Sequence, residues 1–320
     1  MPQTRTRHFS WLASTALLAL ACATPAHAAA LRVVSTFSII SDLAKNVGGD
    51  RIALTTLVGP NGDIHTYEPR PADLKALGTA EVILSNGLQL EGFLPGLVQA
   101  SGAQVPVTAL TDGITLRLTD PEPHDHEPAH EDHDDHDDGH HHHGKYDPHA
   151  WQSVPNAQIY VKNIAQAFCA ADAQGCDGYQ ARAQAYGAQL AALQTEIQTL
   201  FAEVPADRRK IITPHDAFGY FGQTYGFTFT APQGMGTDSE ASASGVATLI
   251  RQVKTEQAAA LFLENVSNPR IVEQIAQETG VQVSGKLYSD ALSGPDAPAS
   301  TYIDMMRHNA TAIHDAVLGR

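Results

Sequence analysis

From residue 31 onward the chain alternates short apolar runs with amphipathic stretches. The run RVVSTF (32–37) has the character of a buried strand, and IISDLAKNVGG (39–49) reads as a helix closed by two glycines. IALTTLV (52–58) predicts a second strand, PADLKALGTA a helix, and VILSNG (82–87) a third strand. Strands that alternate with helical stretches predict a parallel sheet covered by helices on both faces. The rhythm returns in the second half: KIITP (210–214), FTFTAP (227–232), AALFLEN (259–265) and VQVSGKLY (281–288) are strand candidates. Helical stretches separate them, at AFGYFGQTYG, SGVATLIRQVKTEQ and PRIVEQIAQETG, and TYIDMMRHNATAIHDAVLG closes the chain as a helix.

Between the halves, Tyr179, Tyr186, Leu190, Leu193, Ile197, Leu200 and Val204 recur at steps of three, four and seven, which places them on one helical face. A helix over 178–204 would be on the order of 40 Å long and able to brace two lobes. The predicted fold class is therefore α/β: two Rossmann-like lobes, 31–170 and 205–320, each a parallel sheet flanked by helices, joined by one long rigid helix. Ligands of such folds sit beyond the carboxyl ends of the strands, here in the cleft between lobes.

One segment breaks the pattern. Residues 120–144 hold nine histidines and no large apolar side chain, so they cannot bury enough surface to offset their ordering entropy, and a mobile loop is expected. The same tract holds ten of the acidic residues and no Lys or Arg; without it the formal charge moves from −15 to −5. The rest of the chain is only mildly acidic, and no basic face suggests nucleic acid. A His-rich tract suits metal collection, with a solvated acidic linker as the alternative.

At the N-terminus, Arg5 and Arg7 precede the apolar run WLASTALLALACA and the small residues Ala26 and Ala28. This reads as a signal peptide over 1–28, too short to span a bilayer, and implies export. Cys22 offers a lipid-anchored alternative, although Ala19 stands where a lipobox prefers Leu. The remaining cysteines, Cys169 and Cys176, suit one disulfide in an oxidising compartment, because their spacing is not a usual zinc spacing.

Histidines outside the leader and the tract are His65, His149, His215, His308 and His314. The first three fall in loops or at strand ends, and Asp290 follows the last strand candidate in the same way. A lone histidine is more often an ordinary surface or core residue than a ligand; four candidates at strand ends of both halves make a stronger case. His308 and His314 lie six residues apart on different faces of the last helix and read as exposed helix residues.

Four segments carry a family resemblance: GDIHTYEPRPAD (62–73), DPHAWQSV (147–154), ITPHDAFGYFGQTYGF (212–227) and LYSDALSG (287–294). With these the chain resembles the cluster A-I metal-binding proteins of ABC importers, the ZnuA-like group, across nearly all of its length. The resemblance implies two α/β lobes on a rigid helix, metal ligands at His65, His149, His215 and Asp290, and an ABC importer permease as partner. It also implies a periplasmic protein that is not an enzyme. A third histidine together with Asp290 is similar to the AztC-like zinc subgroup, whereas manganese members usually carry Glu at the place of His215.

Three imidazoles and one carboxylate suit tetrahedral Zn²⁺, while manganese prefers more oxygen ligands. Asp63, Glu68, Asp147 and Asp216 lie near the ligands in sequence and are candidates to accept their second N–H, or are plain loop and cap residues. A periplasmic zinc metallochaperone as donor and a monomeric state complete the expectation. The alternatives are a manganese- or iron-binding member of the same family, and a zinc hydrolase. Asp290 would close the open position that a catalytic zinc needs, and no HExxH or GxSxG motif accompanies the histidines.

Overall fold

The computed structural model describes residues 30–119, 144–238, 242–256 and 258–320. The expected signal peptide and nearly all of the His-rich tract therefore lie outside the described residues. The N-terminal sheet comprises β1 (Leu31–Phe37), β2 (Ile52–Val58), β3 (Val82–Ser85) and β4 (Val107–Ala109), all parallel, in the order β2-β1-β3-β4. The C-terminal sheet repeats the arrangement with β5 (Lys210–Ile212), β6 (Thr228–Thr230), β7 (Ala260–Glu264) and β8 (Val283–Leu287), ordered β6-β5-β7-β8. In each sheet the chain runs outward from its first strand in both directions, which opens a crevice at the carboxyl ends of the central strands.

Helices cover the sheets: α1 (Ser38–Gly48), α2 (Pro71–Gly78), α3 (Leu94–Ser101) and α4 (Val154–Ala171) in the first half, then α5 (Cys176–Phe201). The second half carries α6 (Gly219–Tyr225), α7 (Ala243–Glu256), α8 (Pro269–Thr279) and α9 (Tyr302–Leu318). Their ends follow local chemistry. Asn268 caps α8 by accepting from the Arg270 N–H, and Gly280 ends it at φ 76°, a left-handed turn that suits glycine. Three elements are absent from the sequence reading. β4 has only three residues, α3 sits in a stretch interrupted by Gly and Pro, and α4 is an amphipathic helix whose apolar face spans Val154 to Phe168.

The helix anticipated over 178–204 spans Cys176–Phe201. Its buried stripe contains Phe201 and only half of Leu200, and Val204 is buried beyond the helix end. The early stop has a cause: the Arg209 guanidinium donates to the carbonyls of Phe201 and Val204 and turns the chain towards β5. Along its length α5 is tied to both halves. Arg182 donates to the last carbonyls of α1, at Val47 and Gly48, and Arg307 of α9 pairs with Glu196. One hydrophobic core runs from β1 through Tyr186, Leu190 and Leu193 to Tyr302 and Ile313, so the two lobes share an interior. A smaller separate core lies between α7, α8 and the second sheet. Among the described residues no helix is long and apolar enough to cross a membrane.

The start of α5 is secured twice. A disulfide joins Cys169 to Cys176, and the Asp172 carboxylate between them accepts from Arg51, Tyr179 and the Gly175 N–H. These partners, the Arg51 guanidinium foremost, hold the Asp172 carboxyl far below its ordinary range. A crosslink over seven residues restricts the unfolded chain by about 2–3 kcal/mol in the loop-entropy account. Replacing both cysteines by serine is expected to lower unfolding free energy by about that amount in urea titration, without altering metal stoichiometry.

Candidate metal centre

Each of the four candidate side chains sits beyond the carboxyl end of a strand. His65 lies in the loop between β2 and α2, where Asp63 Oδ1 accepts from the His65 backbone N–H at 2.9 Å. The other Asp63 oxygen accepts from Thr237 Oγ1 and so ties this loop to the second lobe. Tyr67 and the Arg70 N–H both donate to Asp73, which closes the loop onto α2. His149 follows the long excursion after β4. Asp147 Oδ1 accepts from both its backbone N–H and its Nδ1, each at 2.9 Å, and Arg117 meets the other Asp147 oxygen at 3.0 Å.

His215 follows β5 and pairs its backbone with Gln233, and helix α6 begins four residues later, at Gly219. Its Nδ1 stands 2.5 Å from Glu264 Oε2 and 3.3 Å from Ser267 Oγ. Asp290 stands three residues past β8, in a turn that both lobes hold.

The structure brings all four side chains to one point. Their donor atoms lie within 4.8 Å of one another. Asp290 Oδ2 is 3.0 Å from His215 Nε2 and 3.2 Å from His65 Nε2, and Asp290 Oδ1 is 3.8 Å from His149 Nε2. The three imidazole rings surround the carboxylate with centroids 5.5–5.9 Å apart. His149, His215 and Asp290 are wholly buried, and the His65 side chain is 5% exposed, so His65 is the candidate nearest to solvent. It borders a cavity of about 600 Å³ walled by Tyr67, Gln89, Glu91 and Phe93.

His65 Nε2, His149 Nε2 and Asp290 Oδ1 are buried with no hydrogen-bond partner. Such atoms are costly unless another ligand satisfies them, and all three face the common point. Second carboxylates fix the ring orientation: Asp147 holds Nδ1 of His149 and Glu264 holds Nδ1 of His215, leaving both Nε2 atoms directed inward. Burial alone would push the His215 imidazole down, but Glu264 and Asp290 together hold it well above its ordinary 6.5. Burial likewise pushes Asp290 up, and the neighbouring His215 and His149 imidazoles, with the His215 hydrogen bond and the close His65 ring, outweigh it, holding the carboxyl well below 3.8.

Of the four neighbours singled out from sequence, Asp147 accepts directly from a ligand ring and Asp63 orders a ligand's backbone. Glu68 is exposed, and Asp216 donates its N–H to the Gly234 carbonyl. Glu264 and Ser267 were missed. A signal existed for Glu264, an acidic residue closing the apolar strand AALFLEN, but only the pairing of β7 beside β5 aims it at His215. The reading of His314 as exposed is overturned. It is buried where the end of α9 meets the end of α5, with Glu203 at 2.5 Å and Asp315 at 2.9 Å. His308, half-buried, lies against Tyr288 and 3.0 Å from the Lys286 carbonyl. Neither belongs to the centre.

Known proteins share this architecture. The family described as zinc-uptake complex component A, periplasmic (ZnuA), matches residues 33–316. The iron-binding protein YfeA of Yersinia pestis is 32% identical over 306 residues, covering 95% of this chain and 92% of that protein. The manganese-binding lipoprotein MntA of Bacillus subtilis is 33% identical over 293 residues, 90% of each. Among solved structures, the periplasmic zinc binding protein TroA from Treponema pallidum superimposes with a TM-score of 0.79 at 29% identity, covering 91% of this chain and 99% of that one. The manganese-bound periplasmic metal binding protein from Candidatus Liberibacter asiaticus gives 0.75 at 29% identity, covering 89% and 98%. With its two repeated sheets, its bracing helix and a match over nearly its whole described length, the chain belongs to the ZnuA family of periplasmic metal-binding proteins.

Proposed function

We propose that this protein is the substrate-binding component of an ABC importer, capturing Zn²⁺ through His65, His149, His215 and Asp290 and delivering it to a membrane permease. The observation that carries the reading is the convergence of three imidazoles and one carboxylate on a point where three of their buried polar atoms have no other partner. Formal charge supports a divalent cargo: once the imidazoles are neutral, as metal ligation requires, Arg117 balances Asp147, and Asp290 and Glu264 remain as two negative groups. Three nitrogens and one oxygen favour four-coordinate zinc over manganese, which takes more oxygen donors.

The relatives divide on the metal, being named for iron, manganese or zinc. A manganese- or iron-binding role is therefore the second reading, and the third imidazole, at His215, argues against it. The relatives are binding proteins and not enzymes, and Asp290 takes the position that a catalytic zinc would leave for water. In this reading the leader over 1–28 directs export and is cleaved, the protein works as a monomer in the periplasm, and a zinc metallochaperone is a further donor. A lipid anchor at Cys22 remains the alternative, as in relatives described as lipoproteins.

A competition titration against a chelator of known strength tests the metal. Residues 29–320 are expected to take one tight zinc equivalent and to bind manganese more weakly, and His215→Ala should lose at least about 100-fold in zinc affinity. Tight manganese binding, or zinc binding indifferent to His215, would overturn the reading. Glu264→Gln keeps the shape but removes the negative charge behind His215, and a loss of about 10–100-fold in zinc affinity is expected by the same titration.

Protons give an independent readout. Glu264 and Asp290 hold the metal-free His215 imidazole well above its ordinary 6.5, and zinc takes the neutral ring, so binding is expected to release a proton. Affinity should therefore rise with pH until His215 titrates, and calorimetry in buffers of different ionisation enthalpy should count about one proton released per ion near neutrality. For stability of the metal-free form, the raised His215 contributes below 6.5 and its contribution is lost as pH rises through its folded value. The lowered Asp290 contributes above 3.8 and its contribution is lost as pH falls through its depressed value.

A further inference from the structure

Asp290 belongs to the second lobe by sequence, yet much of what fixes its main chain comes from the first. The Ser289 carbonyl, immediately before it, accepts from Trp151 Nε1 at 2.8 Å and from Gln152 Nε2 at 2.7 Å. Both donors belong to the short turn Ala150–Gln152, which directly follows His149. Beyond Asp290, the Ala291 carbonyl accepts from Asn265 Nδ2, the Leu292 N–H donates to Ser38 Oγ, and the Leu292 carbonyl accepts from the Asn61 N–H. The backbone is held on both sides of Asp290, and its carboxylate is held by His215 Nε2 at 3.0 Å.

Gln152 is wholly buried, and its Oε1 has no partner. An amide that leaves one buried oxygen unsatisfied is a poor choice for stability, since an apolar side chain of the same size would avoid that cost. Its one strong hydrogen bond, to the Ser289 carbonyl, couples the turn that carries His149 to the turn that carries Asp290. We propose that Gln152 is a positioning residue for metal choice: it locks Asp290 against His149 at the spacing of a small, four-coordinate ion and prevents the turn from yielding to a larger coordination shell. The inference rests on the metal-site reading above.

The physical basis is pre-organisation. An ion that needs more oxygen ligands must either draw in both Asp290 oxygens or open room for water, and each requires the turn to move. A held turn pre-organises the tetrahedral arrangement and penalises the alternative, so for manganese the lost pre-organisation and the lifted penalty offset each other. Freeing it should cost zinc its pre-organised ligand while costing manganese little.

The test is Gln152→Met, which keeps the volume and deletes the donor. Trp151 still satisfies the Ser289 carbonyl, and the unsatisfied Oε1 disappears, so the fold is expected to hold. Zinc and manganese affinities are measured by chelator competition in wild type, Gln152→Met and Ser289→Ala, a control in the same turn that removes a partnerless hydroxyl. Gln152→Met should weaken zinc by about 10-fold or more while leaving manganese within about twofold, and Ser289→Ala should leave the ratio of the two unchanged.

Equal weakening of both ions, or an unchanged ratio, would reduce Gln152 to a packing residue and overturn the proposal. Should Gln152→Met fail to fold, Asn265→Ala frees the carbonyl on the other side of Asp290 and carries the same expectation. Wild type that binds neither ion tightly would sink the metal-site reading itself. Wild type that binds zinc tightly with an unchanged ratio in the variant sinks only the role of Gln152.

Discussion

The wholly buried carboxylate of Asp290 is the constraint around which the site is organised. Removing a carboxylate from water costs several kcal/mol unless charge and hydrogen bonds replace the solvent. Here three imidazoles from two lobes provide the replacement, two of them within 3.2 Å of one oxygen. The other oxygen faces His149 without a hydrogen bond. His65 and His149 come from one lobe, His215 and Asp290 from the other, so satisfying this one group requires the lobes to meet.

That requirement explains the scaffold. The core is continuous across both halves, and α5 is pinned to α1 by Arg182 and to α9 by the Glu196–Arg307 pair. Tyr302 donates to the Trp151 carbonyl, and its N–H donates to the half-buried Asp42, so α9 also braces the turn behind His149. Rigid support of this kind suits a site whose ligands must be held to within fractions of an ångström. The smaller core under α7 and α8 is a separate body of side chains, and it backs the strand that ends in Glu264.

Negative charge is layered around the centre. Asp147 and Glu264 each hold the outer nitrogen of an imidazole, His149 and His215 respectively, and Arg117 balances the first of them. This arrangement fixes the ring orientation and raises the basicity of the inward nitrogen. Together with Asp290, Glu264 also holds the His215 imidazole well above its ordinary value against the opposing effect of burial.

Much of this was legible along the chain. Apolar periodicity alone implied two parallel α/β halves and a long helix between them, because strand and helix repeats follow directly from which side chains must be buried. His65, His149, His215 and Asp290 stood out by falling at strand ends, with the family resemblance behind them. What periodicity could not convey were short or interrupted elements such as β4 and α3, and the stop of α5 at Phe201, which Arg209 imposes from eight residues away. Nor could it reveal that His314 is buried against Glu203 while His308 is not. Glu264, Ser267 and Gln152 act across sequence separations of 49, 52 and 137 residues. Sequence by itself determined which residues can form strands, helices and ligands, because those properties depend on side-chain type and local spacing. Only the tertiary structure decided which carboxylate faces which imidazole, because that depends on how two separately wound sheets are set against each other.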